Sequence, residues 1–266
     1  MKRVVVHLGL RKTATTSIQS MLDTHADLLP TDIKVISRGQ SFDAWREYVY
    51  RYMSAPAELA AEYKSTMLAG VEDEIRKLAR WFGTLPEDTI LISDENLFSA
   101  RVFAHGETIF DWANEILPIV ETHWADHDLT FLLYLRDEST WLRSCHNQEV
   151  KNNRLGLSYL EWSAQIPERF NLRSNAQDLA SRLNSKVIIV DMEAEAASPG
   201  GLGHAIFAAV GMTDAEIERL PVTDRLNQGL PQSALEFMIA VNRLDIPDAS
   251  KPAIGQLASK LRHLFA

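Results

Sequence analysis

The sequence predicts an α/β fold: three α/β/α layers around a mostly parallel central sheet. Three observations predict it. Short apolar runs recur at residues 4–8, 89–93, 129–135 and 186–190, all but 129–135 rich in β-branched residues. Segments with helical spacing of apolar residues lie between them. Polar clusters at residues 11–16, at 94–96 and from Arg136 onward each follow one of these runs. Strands alternating with helices pack as a parallel sheet covered on both faces, and ligands of such sheets bind at the carboxyl ends of the strands.

In chain order, Val4, Val5 and Val6 open a buried strand that carries His7 and ends at Gly9. Thr15 begins a helix with Ile18, Met21 and Leu22 on one face. Residues 33–36 read as a short strand. Trp45, Tyr48 and Tyr52 recur at helical spacing and read as core; Arg46 and Arg51 beside them are open to an anionic acceptor or to no partner. Residues 57–82 are rich in helix formers, with Leu59, Tyr63, Met67 and Leu78 as candidate core positions, and Gly83 and Pro86 close the helix. Residues 107–120, 139–152, 173–183, 203–210 and 231–243 read as helices, and 198–201 as a loop.

The 266 residues, 46% hydrophobic and 24% charged, suit a single domain over residues 1–266, with no repeat, low-complexity tract or linker. A net charge of −9 argues against the broad basic surface of a general nucleic-acid binder. It still allows an anion held locally by a few Lys and Arg side chains. Cys145 is the single cysteine, so no internal disulfide forms, which fits a reducing compartment. Met1, Lys2 and Arg3 before an apolar run faintly mimic a signal peptide, but no small-residue cleavage site follows. No apolar stretch approaches the ~20 residues of a membrane span. The expectation is a cytoplasmic chain.

Two segments carry chemistry. The first is Gly9-Leu10-Arg11-Lys12-Thr13-Ala14-Thr15-Thr16-Ser17. A loop running into a helix start presents unpaired N–H groups and a positive dipole end to an anion. Lys12 adds a full charge, and the hydroxyls add donors. A plain N-cap with a solvated Arg-Lys pair is the alternative. The segment lacks the second glycine of a Walker A loop, which weakens an ATP- or GTP-using reading. The second segment follows a strand: Arg136 offers a planar fork to phosphate, and Ser144 lies eight residues on, with Gln148 and Lys151 on the same helix face. Its alternative is a strand-end Arg paired with Asp137 or Glu138.

Lys12-Thr13-Ala14-Thr15-Thr16 resembles the 5′-phosphosulfate loop of sulfotransferases that use 3′-phosphoadenosine 5′-phosphosulfate (PAPS), which runs Lys-Thr/Ser-Gly-Thr-Thr after the first strand. Arg136 and Ser144 match the spacing of that family's 3′-phosphate signature, and residues 227–242 are similar to the last helical segment of its bacterial carbohydrate-type members. Ala14 stands where the family usually has glycine, and Glu138 where it often has proline. Alanine takes a positive φ only with strain.

The resemblance implies a P-loop-like fold and metal-free transfer of a sulfuryl group from PAPS to an acceptor hydroxyl or amine, leaving PAP. The implied acceptor is a carbohydrate or glycoconjugate. It implies that Arg11, Lys12, Thr13, Ala14, Thr15, Thr16, Ser17, Arg136 and Ser144 bind the nucleotide and that Lys12 acts at the bridging oxygen. Glu95 is the expected general base, with Asp94, His7 and His25 as alternatives. His123 and His127 have helical spacing but no third ligand nearby, so they read as surface residues. A P-loop nucleotide kinase-like transferase and a non-catalytic nucleotide-binding relative of the fold stay open.

Overall fold

A computed structural model describes residues 1–24, 26–37, 42–94, 97, 101–220, 230–246 and 250–265. Its strands are β1 Arg3–Leu8, β2 Ile33–Ser37, β3 Thr89–Asp94, β4 Phe103–Ala104, β5 Glu107–Thr108, β6 Asp128–Leu135 and β7 Lys186–Asp191. Its helices are α1 Thr15–Thr24, α2 Asp43–Ser54, α3 Ala60–Phe82, α4 Ile109–His123, α5 Glu138–Asn152, α6 Tyr159–Ser163, α7 Leu172–Arg182, α8 Met192–Ala196, α9 His204–Ala209, α10 Asp214–Ile217, α11 Gln232–Arg243 and α12 Ser250–Lys260. The chain, read above as one domain, falls into two compact units: Met1–Arg136 with Arg169–Asp224, and Asp137–Glu168 with Arg225–Ala266.

The first unit is built on a five-stranded, all-parallel sheet in the order β2-β3-β1-β6-β7, flanked by helices in the predicted α/β/α manner. A parallel strand covered on both faces needs apolar residues at every position, not at alternate ones. β3 is buried along its whole length, and β1 and β6 at all but their first residue. Val5, Leu91, Leu132 and Tyr134 meet Ile18, Met21 and Leu22 of α1 and Phe207 of α9 in one core cluster. Each such fully buried side chain contributes about 1.5–3 kcal/mol. A two-residue turn joins β4 to β5, and His105 (φ 52°) and Gly106 (φ 76°) take the paired positive φ that such a hairpin requires.

Two expectations change. Residues 107–120 do not all join one helix: Glu107 and Thr108 pair in β5, and Thr108 then caps α4 through a reciprocal box with Asp111. Leu59 and Tyr63 are 41% and 37% exposed, because the buried stripe of α3 is Met67, Val71, Ile75, Leu78 and Phe82. Trp45 and Tyr52 of α2 are core, as expected. Gly70 in α3 lies so close to the Tyr48 ring that a Cβ would stand 2.5 Å from it, which explains a glycine inside a helix.

The second unit packs α5, α11 and α12 around Val150, Leu235, Met238 and Ala258, with α6 against α5. Asn242 donates to the carbonyls of Val150 and Leu155 at 2.8 and 3.1 Å, fixing α11 to the end of α5. Among the described residues no helix is long and apolar enough to cross a membrane.

Candidate functional site

In the first unit the chain reverses its direction of travel across the sheet at β1, whose neighbours are β3 and β6. Crevices open at such switch points, beyond the carboxyl ends of the strands. Leu8 pairs with Asp94 on one side and with Leu133 on the other, so the ends of β1, β3 and β6 lie on one edge. β6 continues past this register to Leu135, which carries Arg136 out over the loop that follows β1.

That loop is tightly curled. The Thr13 N–H and hydroxyl both donate to the carbonyl of Leu10, at 3.3 and 2.6 Å. Lys12 has φ 69° and Ala14 φ 60°; Arg11 and Thr13 are not among the positive-φ residues. Left-handed residues paired with right-handed ones are the backbone element of anion-binding concavities; here they flank Thr13, whose own N–H is turned back to Leu10. Ala14 then accepts from Ser17 N at 2.9 Å and Ile18 N at 3.1 Å, which starts α1. Ala14 therefore holds the backbone geometry that favours glycine, at a strain of about 1–2 kcal/mol.

Arg136 joins the second predicted segment to the first. Its Nη1 donates to the carbonyl of Lys12 at 3.4 Å. Its Nε is buried without a hydrogen bond among the described residues and stands 3.4 Å from Oε1 of Glu193, on α8. Arg11, Lys12, Thr16 and Ser17 are half-buried around the same turn.

A polar layer lies beneath the loop. His7 Nδ1 is 2.9 Å from Ser93 Oγ, and Gln19 Nε2 donates to Ser93 O at 2.8 Å. His7 is fully buried, and desolvation pulls its imidazole down to about 3, so it is neutral at ordinary pH. His7 Nε2, Thr15 Oγ1 and Gln19 Oε1 have no partner among the described residues. At the end of β3, the fully buried Asp94 carboxylate takes Arg46 Nη1 at 3.0 Å, and Arg46 also pairs with Asp43.

The structure thus brings Arg11 to Ser17 together with Arg136. Thr13 and Thr15 turn inward, with the Thr13 hydroxyl committed to the loop itself. Asp94 is ion-paired and His7 is sealed in the core. Glu95 and His25 lie outside the described residues. Ser144 is a half-buried residue of α5, in the second unit. Of the two histidines set aside as surface residues, His123 bonds Glu72 at 3.0 Å, and no cluster of three or more His, Cys, Asp or Glu among the described residues could hold a metal ion.

The sequence reading missed two residues. The sequence leaves Arg46 open to an acceptor or to no partner, and its buried partner Asp94 is 48 positions away. Glu193 carries no signal beyond being an acidic residue just after a strand. A cavity of about 60 Å³ opens beside Ser17 and Met21, against Gly200, His204 and Phe207. Ligand pockets are typically about 300–1,000 Å³, so this cavity does not house a nucleotide. No protein-family model matches the chain, and no curated protein matches it in sequence.

Proposed function

We propose that the chain is a sulfotransferase that moves a sulfuryl group from PAPS to an acceptor hydroxyl or amine, of a carbohydrate or glycoconjugate, and releases PAP. The observation that carries this reading is the contact between Arg136 and the carbonyl of Lys12. Lys12 and Arg136, over a hundred positions apart and each a candidate phosphate contact in the sequence, meet at the edge of the sheet where such ligands bind. The left-handed backbone of Lys12 and Ala14, on either side of Thr13, is independent support, because left-handed residues in such a turn are one element of an anion cradle.

In such a transfer the bond from sulfur to the bridging phosphate oxygen breaks, its electron pair stays on the phosphate, and the acceptor oxygen or nitrogen takes the sulfur and gives up its proton. Lys12 offsets the charge that grows on the bridging oxygen, and the loop N–H groups share that load. Arg136 offers its fork to the 3′-phosphate, together with Ser144 in the sequence-based reading. Glu95 is the proposed proton acceptor; Asp94 serves poorly because Arg46 occupies it. A cytoplasmic location fits a chain whose single cysteine, Cys145, is buried.

The test is a thermal melt of wild type and Arg136→Ala with PAP, and with ATP plus Mg²⁺, followed by transfer from labelled PAPS to a panel of glycan acceptors. PAP at about 100 times its dissociation constant adds about 2.7 kcal/mol of stability. The expected result is stabilisation of the wild type by PAP, lost in Arg136→Ala. Stabilisation by ATP with Mg²⁺ and not by PAP overturns the reading in favour of a kinase-like transferase. PAP binding without transfer to any acceptor identifies a non-catalytic binder.

A further inference from the structure

Arg136 is poorly satisfied. A charge-assisted N–H···O bond normally spans about 2.7–2.9 Å, yet the described contacts of Arg136, to Lys12 O and Glu193 Oε1, are both 3.4 Å. Its Nε is buried and faces Glu193 without forming a hydrogen bond. The side chain is 20% exposed, so water reaches only part of the fork. This guanidinium is held near its place by a partner that does not fit it.

Glu193 is held just as loosely. Its side chain is 46% exposed and has no other partner among the described residues. The helix beneath it is fixed: Asp191 caps α8 through Ala194 N at 3.0 Å and takes Arg173 at 2.9 Å. The second acid of α8, the half-buried Glu195, is committed to the N–H groups of Gly203 and Ala205 at 2.8 and 2.7 Å. Glu193 is thus a tethered carboxylate on a rigid base, free to swing between Arg136 and water.

We propose that Glu193 is a displaceable counter-ion, which an anion must push aside to reach Arg136. It rests against the fork when no ligand is bound and yields to a phosphate monoester. Such a dianion repays the displacement through two charges and the bidentate geometry of the guanidinium. A singly charged group, such as a sulfate ester or a phosphodiester, meets the same displacement cost and gains less from the fork. The inference rests on the nucleotide-binding reading above and adds to it a built-in displacement cost at the terminal phosphate.

The experiment compares wild type, Glu193→Gln and Glu193→Ala, using PAP and adenosine 5′-monophosphate (AMP) as probes and titration calorimetry at low and high salt. AMP lacks the 3′-phosphate and serves as the ligand that leaves Arg136 unused. Both variants should bind PAP roughly threefold to fivefold more tightly, the scale of an exposed ion pair. AMP affinity should not change, and the gain should shrink at high salt. Adding Arg136→Ala should erase the gain. Equal PAP affinity in wild type and both variants overturns the counter-ion role and leaves the nucleotide reading standing. Weaker PAP binding in both variants also overturns it, since Glu193 then positions Arg136. No PAP binding by any of the three proteins overturns the nucleotide reading itself and the inference with it.

Discussion

Arg46 Nη1 sits 3.0 Å from Oδ2 of Asp94, a carboxylate with no exposed side-chain surface at the end of β3. Removing one partner of a buried pair costs more than the pair contributes, because the charge left behind has lost its water. Arg46→Ala should therefore destabilise the fold by about 2–3 kcal/mol, less than a wholly buried pair because Arg46 is 22% exposed. Adding Asp94→Asn should recover part of the loss. Urea unfolding of the double-mutant cycle measures both, and a double variant no more stable than Arg46→Ala would show that the carboxylate does not depend on Arg46.

Ala14 occupies a left-handed position, so relieving it should help the loop. Ala14→Gly should stabilise the chain by roughly 0.5–1 kcal/mol, the strain released less the extra freedom glycine gives the unfolded chain. Ala14→Val, β-branched, should destabilise it by more than that. Melting temperatures of the pair check the sign, and equal values would show that the turn does not need its left-handed residue.

His7 ties stability to acid. Its folded-state value lies near 3 and the ordinary value is 6.5, so between these pH values the unfolded chain holds a proton that the folded chain refuses. The stabilisation from a neutral His7 is fully present above about pH 6.5. It then falls by up to about 1.4 kcal/mol per unit as the pH drops toward 3. His7→Gln should flatten the acid limb of stability against pH between 6 and 4. An unchanged slope would mean that the imidazole is not sealed from water.

Lys12 stands at φ 69°, so its replacement must tolerate that geometry. Asn does so better than Ala. If Lys12 offsets charge on the bridging oxygen, Lys12→Asn should lower kcat for sulfuryl transfer about 10²–10³-fold, while PAP affinity falls much less. A loss confined to PAP affinity would make Lys12 a binding residue only.

Much of the scaffold was legible, for a physical reason. Central parallel strands are buried on both faces, and Val4–Val6 or Leu129–Leu135 leave little room for another reading. The loop after β1 was legible as a candidate anion site because Lys12, Thr15 and Thr16 supply charge and donors at a strand-to-helix turn. Side-chain direction was not. The inward turn of Thr13 and Thr15 follows from the left-handed residues at 12 and 14, and no residue type announces that geometry when it is Lys and Ala that adopt it. Nor was pairing at a distance legible. The contacts of Arg46 with Asp94 and of Arg136 with Glu193 depend on which strands are neighbours, and spacing along the chain does not contain strand order. Leu59 and Tyr63 misled because helix formers and apolar residues continue one turn beyond the face that α3 buries.

The position of β1 has a consequence for how the chain reaches this state. Arg3 pairs with Thr89 on one side and lies opposite Asp128 on the other. A nascent chain must carry the apolar run Val4–Val6 through the synthesis of α1, β2, α2 and α3 before either neighbouring strand exists. Contacts this distant in sequence form slowly, and an unpaired β-branched strand is a template for association with other chains. The strand that leads into the loop is therefore open to association with other chains until β3 has been made.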